Sequence, residues 1–288
     1  MKKEVNFLQN LQHFMKNRDF RAVCYSHIGK RQNQEDNFLF DGISLTLDNQ
    51  KQRSEQPIVF SSKNTMERVK LFAISDGMGG HNAGEVASRI CVEKLAEIEP
   101  LLQNYHSMKD IVAFLQFKIA EINRTVYEMS CRYEAYKGMG ATLVLCVLYG
   151  MECVVLNVGD SRAYYFDGST LMQITKDNTE GQRMLDLGLL TRKELLHFPA
   201  RKHLNRYIGY APTGFILQAD EYYPQIKDGT ILLCSDGISD FLSDKQIVQI
   251  LQSELDLEKV GMLLIKEAIL STSADNATMI LLSMGEVF

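Results

Sequence analysis

No stretch of these 288 residues approaches the run of about 18 apolar positions that a membrane-spanning helix needs. The first residues, Met-Lys-Lys-Glu followed by Val-Asn-Phe-Leu-Gln-Asn-Leu-Gln-His-Phe, are too polar for the core of a secretory signal, so a cytoplasmic protein is expected. Proline is scarce, at five residues, and no Pro-, Gly- or Ser-rich linker or internal repeat divides the chain. With 45% hydrophobic residues it can bury a full core, and one main domain is expected. Basic residues are outnumbered, 31 Lys and Arg against 36 Asp and Glu, and the net charge of −5 argues against general binding to nucleic acid or an anionic membrane. The polar stretch 48–56 reads as a surface loop.

Six cysteines, at 24, 91, 131, 146, 153 and 234, form neither a Cys-x-x-Cys pair nor a zinc-finger pattern. They read as reduced thiols acting as small buried hydrophobes. A cysteine-dependent phosphatase needs a thiolate six residues before an arginine, and none of the six has one. A phosphate-binding P-loop motif is missing too.

Short acidic motifs are spread along the chain instead: Arg31-Gln-Asn-Gln-Glu-Asp36, Ser75-Asp-Gly-Met-Gly-Gly-His81, Gly159-Asp-Ser-Arg162, Ser235-Asp-Gly-Ile-Ser-Asp240 and Asp275-Asn-Ala-Thr278. Hard divalent cations take oxygen ligands from carboxylates, carbonyls and water, and Asp36, Asp76, Asp236 and Asp275 suit that role. The Asp-Gly pairs at 76–77 and 236–237 each follow an apolar run, and a glycine there is expected to turn the chain sharply through a positive φ. In this order the motifs read as a two-metal phosphate site.

Short apolar runs rich in β-branched and aromatic residues predict strands at 20–25, 71–74, 141–149, 152–158, 162–166, 231–234 and 278–282, with a tight turn at 149–151. Helical patterns lie at 83–98, 108–132, 244–252 and 257–270, with shorter pieces at 182–187 and 191–196. Strands cluster around paired helices instead of alternating with them, which favours an α+β fold.

The motif set from about Ala22 to Leu282 resembles the metal-dependent protein phosphatases of the PPM or PP2C family, in particular bacterial-type single-domain serine/threonine phosphatases. Asp76-Gly-Met-Gly-Gly-His-Asn-Ala-Gly-Glu-Val-Ala-Ser88 carries that resemblance most specifically. It implies a four-layer αββα sandwich, two antiparallel β-sheets flanked by helices, with the metals at one end of the sheets. It implies a domain over 20–288, a flap at about 176–209 and an N-terminal extension at 1–19. Phosphoserine and phosphothreonine on proteins would be hydrolysed by a water that two Mn2+ or Mg2+ ions activate. Asp76 would bridge both ions, the carbonyl of Gly77 and Asp36 would serve one, and Asp236 and Asp275 the other. Arg31 would bind the phosphate, Glu35 would act through water, and Asn276 reads as a supporting or turn residue. Gly159-Asp-Ser-Arg162 would be a structural turn. Partners would be phosphorylated proteins, substrates of a serine/threonine kinase, and the chain is expected to be a monomer.

Two departures from the family pattern bear on the chemistry. Met78 stands where many members carry a histidine able to donate a proton, and His81 is only close in sequence. Lys137 stands where bacterial members carry an acid for a third, weaker ion, leaving Asp236 and Asp240, with Glu134 nearby; an ammonium there argues against that ion. The basic run Arg201-Lys-His203 could face acidic substrates or simply solvent. The competing readings are a weakly active phosphatase-like regulatory or binding module and a hydrolase of small phosphoesters.

Overall fold

The computed structural model describes residues 19–46, 50, 57–65, 69–79, 83–211, 214–253, 255–271 and 275–285. The expected N-terminal extension, except Asp19, the polar stretch 48–56, except Gln50, and His81 lie outside the described residues.

Two antiparallel sheets form the centre. The first runs in the order β3 (Ile58–Thr65), β1 (Asp19–His27), β12 (Ala277–Met284), β11 (Gly229–Cys234), β8 (Arg162–Phe166), β9 (Leu171–Gln173). The second runs β10 (Asp220–Tyr222), β7 (Glu152–Val158), β6 (Leu143–Tyr149), β4 (Lys70–Met78), β2 (Asp36–Phe40), with the two-residue β5 (Gly140–Ala141) beside β4. Helices α1 (Gly84–Leu102) and α2 (Met108–Arg132) cover the second sheet, while α5 (Asp236–Ser239), α6 (Asp244–Leu251) and α7 (Leu257–Leu270) cover the first. Between them, α3 (Glu180–Asp186) and α4 (Arg192–Leu195) sit in the long segment 176–209. The expected αββα layering is therefore present.

The layers follow from the period-two alternation of strand side chains. In β4, Leu71 and Ala73 face α1 and α2, whereas Phe72 and Ile74 enter the space between the sheets. In β12, Met279 and Leu281 face the helices of the first sheet, whereas Ile280 and Leu282 meet the other sheet. Strands buried on both faces must be apolar throughout, which is why they appear in the sequence as unbroken hydrophobic runs. Phe20, Phe40 and Phe72 fill the middle layer with edge-on ring contacts at 5.7 Å. Each such buried ring contributes about 1.5–3 kcal/mol, enough to hold polar side chains buried at the sheet ends.

Five of the six cysteines are buried, and Cys131 is exposed at the end of α2. Among the described residues no helix is long and apolar enough to cross a membrane.

Candidate active site

Antiparallel pairing brings the acidic motifs to one end of both sheets. Asp36 opens β2 and lies directly across from Asp76 in β4. Asp236 follows the end of β11, and Asp275 lies two residues before β12, whose start pairs with the end of β1 at His27. The loop from Ile28 to Glu35, which carries Arg31, therefore leaves the first sheet at this same end.

Asp36 is buried, and its Oδ2 accepts a hydrogen bond of 2.8 Å from Ser235 Oγ, which joins the two sheets. Its other oxygen, Oδ1, is buried without a partner, and so is Oδ1 of Asp236. Burial, with Asp236 and Asp275 nearby, pushes Asp36 up to about 7 against the opposing hydrogen bonds from Ser235 and Thr278. Burial, followed by the charge of Asp36, raises Asp76 well above the usual carboxylate range. Asp236 rises to about 6 through burial, Asp240 and Asp275, with Lys202 pulling the other way. Carboxylates this close and this poorly solvated call for cations.

The two glycines have a different task from the one expected. Neither Gly77 nor Gly237 has a positive φ, and Asp76-Gly77 lies inside β4 instead of in a turn. Both sit where another backbone passes. A Cβ on Gly77 would stand 2.1 Å from the carbonyl oxygen of Gly84, and one on Gly237 would stand 1.8 Å from that of Asn276. The positive φ falls instead on Gly79, at 155°.

Asn276 ties the site together. Its Oδ1 accepts from the Glu35 N–H at 2.7 Å, and its Nδ2 donates to the carbonyls of Ile28 and Asn33 at 2.8 and 3.0 Å. All three bonds pin the loop that carries Arg31. The Glu35 carbonyl in turn accepts from the Gly77 N–H at 3.1 Å. The half-buried Glu35 is raised by its burial, against the pull of Arg31.

Arg31 grips Asp275 with two bonds, Nε to Oδ1 at 2.9 Å and Nη2 to Oδ2 at 2.8 Å. The proposed phosphate arginine and one proposed metal ligand are thus partners here. Among the described residues no three His, Cys, Asp or Glu side chains already converge on one point as a finished cage. The donor set nevertheless fits hard divalent ions, which accept carbonyls and waters beside a few carboxylates, and the unpartnered oxygens of Asp36 and Asp236 are free to serve as ligands.

Gly159-Asp-Ser-Arg162 is a corner that supports β4. Ser161 Oγ lies 2.6 Å from Thr142 Oγ1, which accepts from the Asp76 N–H at 2.9 Å. Arg162 is held by Asp177 through bonds of 2.9 and 2.7 Å. Asp160 departs from that supporting role: burial and the charges of Asp236, Asp177 and Asp240 push it up to about 7.

Lys137 is not the cation bound to Asp240. It is exposed and bonds to Glu134 at 3.1 Å, three residues away. The cation on Asp240 is Lys202, from the run Arg201-Lys-His203. Sequence reasoning missed Ser235, Thr278 and Thr142 as supports, although each adjoins or belongs to a motif strand. It had no means of pairing Lys202 with Asp240.

The protein phosphatase 2C family model matches residues 59–259. The chain belongs to that family. Serine/threonine phosphatase stp of Listeria welshimeri is 30% identical over 224 residues, covering 77% of this chain and 86% of its own. Protein phosphatase PhpP of Streptococcus pneumoniae is 29% identical over 254 residues, 85% and 98% of the two chains. Among solved structures, a bacterial serine phosphatase matches with a TM-score of 0.75 at 27% identity, covering 92% of this chain and 97% of its own. The catalytic domain of the phosphatase PstP, solved with two manganese ions, matches with a TM-score of 0.72 at 27% identity, covering 94% and 100%. For a member of the protein phosphatase 2C family, the carboxylates at the sheet ends are the place to seek the chemistry.

Proposed function

We propose that this phosphatase hydrolyses phosphoserine and phosphothreonine esters of proteins, using two Mn2+ or Mg2+ ions held by Asp36, Asp76, the Gly77 carbonyl, Asp236 and Asp275. The observation that carries the assignment is the placement of four carboxylates from both sheets at one sheet end, two of them with buried, unpartnered oxygens, in a chain related to a phosphatase domain solved with two manganese ions. When bound, the ions supply positive charge and an activated water. Ser235 and Thr278 orient Asp36. Asn276 fixes the loop that presents Arg31, whose planar guanidinium suits two phosphate oxygens at once. Asp275 must share its oxygens between an ion and Arg31, so loading the site would free the guanidinium for substrate.

The reading as a weakly active binding module drew on Lys137, and that ammonium is engaged by Glu134 while Asp240 is paired with Lys202. The phosphoryl groups removed would be those placed by a serine/threonine kinase, by a monomeric domain spanning 20–288 in the cytoplasm. Phosphate release from phosphothreonine, phosphoserine and phosphotyrosine peptides and from a nucleoside monophosphate, each with Mn2+, tests the substrate class. Turnover concentrated on the first two supports it, and equal or greater turnover of the nucleotide overturns it.

A further inference from the structure

The long segment 176–209 meets the acidic end of the sheets through two ionic contacts, Asp177 with Arg162 and Lys202 with Asp240. The ammonium of Lys202 is bound to Oδ2 of Asp240, across 38 residues of chain. Backbone pairing fixes where Lys202 lies: the Glu180 N–H donates to the His203 carbonyl at 2.8 Å, the Asn205 N–H donates to the Asn178 carbonyl at 3.0 Å, and Thr179 and Leu204 form an isolated bridge. Gly181 packs so tightly beneath this turn that a Cβ there would lie 2.6 Å from the Arg201 carbonyl oxygen. The turn carrying Lys202 is therefore built onto the start of the segment.

Below Lys202 is a cavity of about 230 Å3 lined by Asp160, Asp236, Ser239 and Asp240 among others. Oδ1 of Asp236 and Oγ of Ser239 are buried there without hydrogen-bond partners. The other cations of this wall are Arg162, already spent on both oxygens of Asp177, and Arg201, which lines the cavity beside Lys202. Among the described residues Lys202 is the cation ion-paired to this group of three carboxylates, and it comes from the segment that lies over them.

We propose that Lys202 is the resident cation of the Asp160, Asp236 and Asp240 group, and that its bond to Asp240 latches the 176–209 segment onto the metal centre. Its ammonium does at this place what a further metal ion would do, neutralising the outer carboxylates next to Asp236, and it is covalently part of the segment it holds. Lys202 is a positioning residue: it acts through Asp240 and the closed position of the segment. This inference rests on the two-ion reading of Asp36, Asp76, Asp236 and Asp275.

Counting bound Mn2+ by calorimetry and by electron paramagnetic resonance on wild type, Lys202→Gln and Lys202→Gln/Asp240→Asn tests it, with hydrogen exchange of residues 191–206 followed on the same samples. Wild type is expected to bind two ions, Lys202→Gln to gain a third and weaker one, and the double variant to lose that third ion. Exchange across 191–206 should quicken at least several-fold in Lys202→Gln and return towards wild type when the third ion binds. A wild type that already takes three ions, or a Lys202→Gln protein with two ions and unchanged exchange, overturns the latch while leaving the two-ion reading in place. Failure of wild type to bind two ions removes the reading on which the latch depends. A circular dichroism spectrum matching wild type establishes that each variant is folded.

Discussion

Arg31 and Asp275 make the clearest single-residue test, because their bidentate bond links substrate binding to metal binding. Replacing Arg31 with alanine removes a charge-assisted phosphate contact of about 2–3 kcal/mol, and also the competitor for Asp275. Steady-state kinetics on a phosphothreonine peptide should show KM rising and kcat/KM falling by roughly 30- to 150-fold, while calorimetry shows Mn2+ binding as tightly as in wild type or more so. An unchanged kcat/KM would remove the phosphate role. Asp76→Asn and Asp236→Asn should each abolish turnover, yet raise or leave unchanged the melting temperature of the metal-free protein, since each removes a carboxylate crowded by its neighbours. The four carboxylates and Arg31 could be picked out as candidates in the sequence because each sits in a short motif with its own signature. Ser235, Thr278 and Lys202 could not be ranked that way, because their roles depend on which partner the fold sets opposite them.

At the scale of elements, the site depends on backbones that pass too close for a side chain. Gly237→Ala places a methyl 1.8 Å from the Asn276 carbonyl, where α5 leaves β11 against the start of β12. Asn276→Ala leaves the Glu35 N–H and the carbonyls of Ile28 and Asn33 without their side-chain partner. Each change should lower stability by about 2–4 kcal/mol, and urea unfolding with an unchanged m-value would measure it. A loss under about 0.5 kcal/mol for both would contradict the account of how the loop is pinned. The longer elements were legible from periodicity: α2 and α7 appear at the predicted ends, and β7 and β8 at theirs. The missed strands have weaker signals. In β2 an apolar run begins only after Asp36 and Asn37, β3 continues from Ile58 into polar Ser-Ser-Lys-Asn-Thr at a sheet edge, and β9 and β10 have three residues each. The Asp-Gly pairs misled for a physical reason: glycine serves a turn and a close approach equally well, and only the neighbouring backbone distinguishes the two.

For the whole molecule, the collected acids set a pH dependence. Asp36 and Asp160 are pushed up to about 7 and Asp236 to about 6, against roughly 4 for aspartate in an unfolded chain. Between those values the native state holds more protons than the unfolded one, so this cluster costs stability progressively as pH rises from about 4 to about 7 and costs most above it. The melting temperature of chelated protein should fall from about pH 5.5 to about pH 7.5, less steeply in Asp76→Asn, and added Mn2+ should stabilise more at the higher pH. A chelated protein whose melting temperature rises across that interval no faster in Asp76→Asn than in wild type would contradict this. Layer order was the part of the architecture that periodicity could not supply, because a strand buried on both faces has the same pattern whichever partner covers each face; it came from the family resemblance. The claim on which everything else rests is that catalysis runs through ions held at the sheet ends by Asp36, Asp76, Asp236 and Asp275. Its most direct test is phosphate release from a phosphothreonine peptide by wild-type protein before chelation, in excess chelator, and after Mn2+ is restored. The account predicts activity that disappears with chelation and returns with Mn2+; activity that persists in excess chelator would contradict it.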